Sequence, residues 1–427
     1  MRILELAPYS YFKGNKGFEK NNSGFAYAVS DICEALAGRG NEVFLLTQSA
    51  ITKGFSYKCI SILRKEWSDV LLNFKFSDVN YGLKALKGTN ITFIEKLKTI
   101  YYFINRGYTE KVIREIDPDV IHIQSISNYT IPFMMAAANC GKPFIVSNHG
   151  LAAFLEDSDP RIKKLEEDFL KVAEKNNTVI TAVSSGIKNR VIDFYQLSGN
   201  NIEVVFNGYR SNNTDAIDVE KLNSLKAKYG IKAGMFVFLC AGSVSYRKNQ
   251  LQVVRAFSML LQVKKRAKLL LAGYGPQYDE LREYVTEKKL ENDVVVLGNV
   301  EHDEMAYYYT LSNCTVMASV DEGFGLPIIE GYSFGIPSIM YRDLDAALDI
   351  SFPETGILVE QRSDASLSQA MASVMDSEWD EYTIKKYAIR FSNKVMGEKY
   401  HRVLKNGIKS NSSIPFEQIA GLLKERK

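Results

Sequence analysis

Short aliphatic and β-branched runs recur along the chain, and the stretches between them carry apolar residues at helical spacing. Runs of this kind are what strands buried on both faces of a parallel sheet leave in a sequence, with crossover helices between them. In the first half they predict strands at RILELA (2–7), EVFLLT (42–47), VIHIQ (120–124), PFIVSNH (143–149), VITAVS (179–184) and IEVVFN (202–207). A second series follows at FVFLCAG (236–242), KLLLAGYG (268–275), DVVVLGNV (293–300), CTVMAS (314–319), PSIMY (337–341) and TGILVE (355–360). Between the two series, the polar and aperiodic YRSNNTDAID (209–218) reads as a linker. The expected class is α/β, with two Rossmann-like doubly wound domains facing a central cleft, the first over 1–208 and the second over 209–389.

Composition refines this picture. At about 150 residues per domain, 427 residues allow two or three domains. A hydrophobic fraction of 46% suffices for large cores. The net charge of +3 argues against nucleic acid as a main partner, so anion recognition has to be local. Cys33, Cys59, Cys140, Cys240 and Cys314 lie far apart with no CxxC pair, which argues against a zinc site or a disulfide framework and for a reducing compartment. MRILELAPYSYFKGNKG lacks the apolar run of a signal peptide, so no secretion is expected. Apolar runs such as MFVFLCA (235–241) reach about a third of the roughly 20 residues a bilayer requires, so no membrane span is expected either.

The stretch 51–115 departs from the strand and helix rhythm. It holds 12 Lys and Arg against 6 Asp and Glu, with 11 aromatics including Tyr101, Tyr102, Phe103 and Tyr108. Ordinary helices with solvated charges are the preferred account; a basic, aromatic face resting on an anionic leaflet is the sharper one. Composition alone does not place charges on faces.

In open α/β sheets ligands bind beyond the carboxyl ends of the strands, which makes those ends the filter for candidate chemistry. FVFLCAG runs into Ser243-Val244-Ser245-Tyr246-Arg247-Lys248-Asn249, two adjacent cations where a helix is expected to start. Arginine offers a planar fork to phosphate oxygens, lysine a point charge, and a helix start adds N–H groups, a combination that suits a diphosphate. Elsewhere, the same pair would read as solvated surface charge. After CTVMAS comes EGFGLPIIEG (322–331), in which Gly323 and Gly325 let the backbone turn and approach a ligand and Pro327 fits a first helical turn. Glu322 and Glu330 put two carboxylates along one helix axis, which rises about 1.5 Å per residue. Carboxylates accept paired hydrogen bonds from vicinal diols, so a polyol ligand fits; acidic partners of a helix N-terminus are the plainer account.

His149 and Gly150 end PFIVSNH at the matching edge of the first sheet. There the histidine either donates to a sugar hydroxyl or developing charge across the cleft from Arg247, or serves structure. His122, inside a strand, and His302 and His401, in polar surroundings, read as structural. Of three Asp-x-Asp strings, Asp117-Pro118-Asp119 precedes a strand and so lies at the wrong edge, while nothing converges on Asp157-Ser158-Asp159 or Asp343-Leu344-Asp345. No metal is expected, because Arg247 and Lys248 supply the cations. Gly273-x-Gly275 lacks the third glycine of a dinucleotide fingerprint, with Tyr278 in its place, which disfavours NAD.

Together these residues resemble the retaining glycosyltransferases of family 4, which have the GT-B fold. The likeness covers nearly the whole chain and rests on Glu322 and Glu330 in EGFGLPIIE, with GSVSYRKN (242–249), GYGP (273–276), LGNV (297–300) and TGILVE (355–360). It implies Arg247 and Lys248 on the donor diphosphate, Glu322 on donor-sugar hydroxyls and Glu330 on the ribose. Gly323, Phe324, Gly325 and Leu326 would present backbone N–H groups, and Gly242 also falls among the donor-binding residues. Val300 would lie near the base and His149 near the sugar's primary hydroxyl. Where the family commonly has Gly-Gly after the first strand this chain has Ser23-Gly24, with Gly24 the donor-binding member. The usual Asn-Gly-hydrophobic-Asp turn is Asn207-Gly208-Tyr209-Arg210. A C-terminal helix returning to the first domain is also implied, over about 390–427, and the apolar spacing of 382–407 suits it.

The activity these features imply is transfer of a sugar from a UDP- or GDP-sugar to an acceptor hydroxyl with anomeric configuration retained. The enzyme would be a cytoplasmic, metal-independent hexosyltransferase of cell-surface polysaccharide or glycoconjugate synthesis, with no cofactor besides its donor. Its partners would be that donor and a saccharide or lipid-linked saccharide acceptor, with no nucleic acid. Contact with the inner face of a membrane goes with the sharper reading of 51–115. A nucleotide-sugar epimerase or phosphorylase, and a non-catalytic nucleotide-sugar-binding subunit, are the alternatives on the same fold.

Overall fold

The computed structural model describes residues 1–19, 23–48, 53–151, 154, 158–210 and 217–423. The chain divides into two compact units, Met1–Gly208 with Asn393–Lys427, and Tyr209–Ser392.

The first unit is built on β1 (Arg2–Ala7), β2 (Glu42–Thr47), β3 (Phe55–Tyr57), β4 (Ile60–Ile62), β5 (Val120–Gln124), β6 (Phe144–Asn148), β7 (Ile180–Ala182) and β8 (Ile202–Val204), in the order β3-β4-β2-β1-β5-β6-β7-β8. All neighbours are parallel except β3 and β4. The central strands β5 and β6 are buried along their length, as a sheet covered on both faces requires. Ser23 caps the helix Gly24–Ala37, its Oγ accepting from the Ala26 N–H at 3.2 Å. Val29, Ile32, Cys33 and Leu36 of that helix recur at helical spacing and enter one core with Ile3, Val43, Met396, Tyr400 and Leu404.

Two features differ from the sequence expectation. Within 51–115, β3 and β4 form an antiparallel hairpin where only helices were expected; strands of three residues are too short to leave a readable alternation. Also, 382–407 is not one helix. It forms Glu381–Ala388, a 3₁₀ turn Ile389–Phe391, and Asn393–Lys409, interrupted at Ser392, which is extended (φ −68, ψ 152). There the Tyr209 N–H donates to the Phe391 carbonyl at 2.9 Å, and the chain rejoins the first unit from Asn393. Of the expected linker, 211–216 lies outside the described residues.

The second unit has a six-stranded, all-parallel sheet of β9 (Phe236–Ala241), β10 (Ala267–Ala272), β11 (Val294–Gly298), β12 (Cys314–Met317), β13 (Ser338–Tyr341) and β14 (Gly356–Val359). The order β11-β10-β9-β12-β13-β14 reverses direction between β9 and β12, the doubly wound arrangement whose switch point opens a crevice for ligands. β12 pairs with β9 only through Cys314 and Thr315, so the carboxyl ends of the two strands are unpaired with each other.

Candidate active site

The loops that leave β9 and β12 meet at this switch point. Gly242 leaves β9 at φ +143, and the buried Gln250 amide donates to the carbonyls of Gly242 (3.3 Å) and Ser243 (3.1 Å). The helix that follows starts only at Gln250, so Arg247 and Lys248 precede it in the loop. From the other side, the Val320 N–H donates to the Arg247 carbonyl at 2.8 Å, and Arg247 Nη1 donates to the Asp321 carbonyl at 3.0 Å. Lys248 Nζ forms an ion pair with Glu322 Oε2, and Arg247 Nη1 lies 3.6 Å from the same oxygen. The Lys248 side chain is only 13% exposed and that of Arg247 is 45% exposed, so the lysine is the inner cation. Two cations thus meet one carboxylate where the fold places ligands.

Arg362 supports this arrangement, and the sequence reading missed it. Its Nη1 donates to the Ser319 carbonyl at 2.8 Å while Nε and Nη2 hold Asp343 at 2.6 and 2.8 Å, fixing the loop that carries Glu322. Asp343, from the third Asp-x-Asp string, is thus a structural partner; Asp119 accepts from the Arg2 N–H at 2.8 Å, and Asp157 lies outside the described residues.

Gly325, at φ +92, starts the helix Leu326–Ser333, with Pro327 in its first turn, and Phe324 is buried with its ring edge on Phe391. Gly331 brings that helix close onto β12: a Cβ there would fall 2.6 Å from Thr315 Cγ2. Glu330 is half-buried and accepts a 2.6 Å hydrogen bond from the Tyr309 hydroxyl, and burial raises its carboxyl pKa. Val300 follows β11, half-buried against a core that includes Val237 and Leu270.

The remaining two candidates lie in the first unit. Gly24 opens the helix Gly24–Ala37, and the next residue, Phe25, sets its ring edge on His149, centroids 5.1 Å apart. His149 follows β6 and ends a chain of polar groups that crosses the buried sheet. Glu5 on β1 contacts His122 Nδ1 (2.9 Å) and accepts from the Gln124 amide (2.8 Å), both on β5. His122 Nε2 lies 2.7 Å from Ser147 Oγ, which also contacts Thr181 (2.7 Å) and Tyr400 (3.2 Å). Because the Gln124 NH₂ faces Glu5, its carbonyl faces His149 Nε2 at 2.8 Å, which assigns the proton to Nε2 and leaves the Nδ1 lone pair unused by this chain of contacts. A charged residue inside the apolar run RILELA was the available sequence signal, since a buried carboxylate needs a partner.

Burial, with His122 adding to it, pushes the His149 pKa down to about 3. The unfolded imidazole titrates near its ordinary value of about 6.5, so between these values the unfolded chain binds a proton that the folded one refuses. This contribution to stability is complete above about pH 6.5 and is lost as the pH falls toward 3. His149→Gln should therefore flatten the acid-side decline of first-unit stability, read by urea unfolding at Trp67 emission at pH 7 and pH 5. An NMR titration placing the ring pKa above 6 would refute this.

Arg247, Lys248 and Glu322 are thus brought together, Glu330 is held by Tyr309, and in the other unit His149 packs against Phe25, the residue after Gly24.

Residues 223–391 match the family model described as glycosyl transferases group 1, and residues 23–212 match the one described as glycosyltransferase family 4. An alpha-monoglucosyldiacylglycerol synthase of Streptococcus pneumoniae is 28% identical over 196 residues, 46% of this chain and 44% of that protein, so the match spans less than half of that relative. A glycosyltransferase structure from Rickettsia africae superimposes with a TM-score of 0.68 at 17% identity, over 96% of this chain and 99% of that one. The Anabaena protein HepE, solved with UDP and glucose, superimposes at 0.64 and 16% identity, over 95% and 100%. With family models matching residues 23–212 and 223–391 and glycosyltransferase structures superimposing over nearly the whole chain, the chain belongs to glycosyltransferase family 4 and has the GT-B fold.

Proposed function

We propose that the protein transfers a hexosyl residue from a UDP- or GDP-sugar to an acceptor hydroxyl with retention of anomeric configuration. The observation that carries this reading is the meeting of Arg247 and Lys248 with Glu322 at the switch point of the second sheet. Breaking the bond between the anomeric carbon and the phosphate oxygen leaves negative charge on the diphosphate, and fixed cations stabilise that charge as it develops. The acceptor oxygen bonds to the anomeric carbon on the face the diphosphate leaves, and its proton passes to a leaving phosphate oxygen. Glu322 binds donor-sugar hydroxyls through the oxygen lone pairs its cations do not use, and Glu330 binds the ribose. Gly242, Gly323, Phe324, Gly325 and Leu326 line the donor, and Val300 the base. The two cations take the place of a metal ion.

The name of the pneumococcal relative supports a lipid acceptor in glycolipid synthesis, and the UDP in the Anabaena structure supports a UDP-sugar. Thermal unfolding of the second unit, followed at Trp379, should rise with either UDP or GDP. A ligand at a hundred times its Kd adds about 2.7 kcal/mol. Product NMR should then show the anomeric configuration of the donor. A product of inverted configuration, or no shift with any nucleoside diphosphate, would defeat the reading.

A further inference from the structure

Three consecutive helices of the first unit, Trp67–Leu72, Phe76–Leu86 and Phe93–Ile104, carry eight of the eighteen exposed large apolar side chains among the described residues. On the first, Trp67, Leu71 and Leu72 face outward, Leu72 being 83% exposed. The second turns Asp78, Gly82 and Ala85 inward and leaves Leu83 and Phe76 outside, the latter 88% exposed. The third buries Thr99, Tyr102 and Phe103 and presents Phe93, Ile94 and Leu97. These helices adjoin one another. Gly82 packs so closely on the third that a Cβ would come within 2.9 Å of Ile100, and the Trp67 ring lies edge-on to Tyr101 at 5.4 Å.

The charges sort in the same way. Between Trp67 and Lys98 the exposed charged residues are Lys75, Lys84, Lys87 and Lys98, the first reaching back to the buried Glu110 at 2.7 Å. Each carboxylate in the stretch is turned to a partner. Asp69 pairs with Arg64 at 3.4 Å, Asp78 with the buried Arg106 at 2.6 Å, and Glu95 closes the capping box on Thr92 at 2.9 Å. The outer surface is therefore apolar and predominantly cationic, with Asp69 and Asp78 turned inward and Glu95 engaged by Thr92 at the surface, and clustered exposed apolar side chains of this size mark an interaction surface.

We propose that this three-helix face docks on a membrane surface containing anionic lipid. Its leucines and phenylalanines enter the boundary between headgroups and acyl chains, and its lysines pair with lipid phosphates. A protein partner of ordinary composition would leave the lysines without matching acids, whereas an anionic bilayer satisfies both halves of the surface.

The test uses the full chain carrying Trp379→Phe, so that Trp67 is the sole indole, with no donor or acceptor present; its outcome is therefore independent of the transfer reaction. With vesicles of about three parts phosphatidylcholine to one part phosphatidylglycerol, Trp67 emission should shift to shorter wavelength and the protein should sediment with the lipid. Binding should be at least about tenfold weaker to phosphatidylcholine alone, and equally weakened by Lys84→Glu/Lys87→Glu/Lys98→Glu. Leu72→Ser/Phe76→Ser/Phe93→Ser should abolish it, with circular dichroism unchanged because all three side chains are exposed. No binding to the anionic vesicles, equal binding to both compositions, or a Trp67 shift that follows protein concentration without lipid would overturn the proposal; the last would make the face a contact between copies of the chain.

Discussion

Lys248→Ala should lower turnover at least about a hundredfold, a loss of about 2.7 kcal/mol of transition-state stabilisation. The argument is electrostatic. Lys248 is the inner of the two cations at the switch point, only 13% exposed, so its charge acts with little solvent between it and the leaving diphosphate. Because that negative charge grows only as the anomeric bond breaks, the loss should fall on kcat while KM for the donor changes little. Arg247→Ala should follow the same pattern with a smaller loss, because its side chain is 45% exposed and better screened. Steady-state kinetics on both variants, with second-unit unfolding followed at Trp379 to show that the fold persists, decides the matter. Equal turnover in wild type and Lys248→Ala would remove the cation from the mechanism, as would a loss confined to KM.

Gly273→Ala should destabilise the second unit by about 3 kcal/mol or more, through backbone strain and overpacking together. The loops after β9 and β10 cross in direct backbone contact. A Cβ on Gly273 would lie 1.9 Å from the Gly242 carbonyl oxygen, and Gly273 itself sits at φ +143, where side chains are strained. The same carbonyl accepts from Gln250, which holds the loop of Arg247 and Lys248, so the clash reaches the site. Gly230→Ala is the control. Gly230 also has a positive φ of +63, but the nearest atom to its Cβ is the flexible Lys268 Nζ at 3.4 Å, so only the backbone cost of about 1–2 kcal/mol remains. Urea titrations read at Trp379, with Trp67 replaced, compare the two. If Gly273→Ala cost no more than Gly230→Ala, the crossing of the loops would be looser than the backbone contact implies.

The legibility of the fold followed burial. Strands such as RILELA, VIHIQ and KLLLA are covered on both faces and are rich in aliphatic residues with few polar interruptions, so they could be read directly. The hairpin Phe55–Tyr57 and Ile60–Ile62 was too short to leave a period. The helix break at Ser392 was hidden because Ile384, Ala388, Phe391, Met396 and Tyr400 continue an apolar spacing through it, although the residues before and after the break pack in different units. At the site, the Arg-Lys pair and EGFGLPIIE stood out because they follow strands, but nothing local tied Lys248 to Glu322, 74 positions apart. Arg362 and Gln124 were illegible for a related reason: each acts by hydrogen-bonding a distant loop or strand, and neither sits in a distinctive string.

The sequence by itself determined the strand segments, the two-series layout and the residue types at the strand ends, because local burial and turn chemistry are written into neighbouring residues. Which strand ends become neighbours, how Glu322 is shared between two cations, and which way the lysines and carboxylates of 67–98 point were decided only by the tertiary structure. Sheet order and helix packing join residues far apart in the chain, and the energy of a charge depends on what that packing sets beside it.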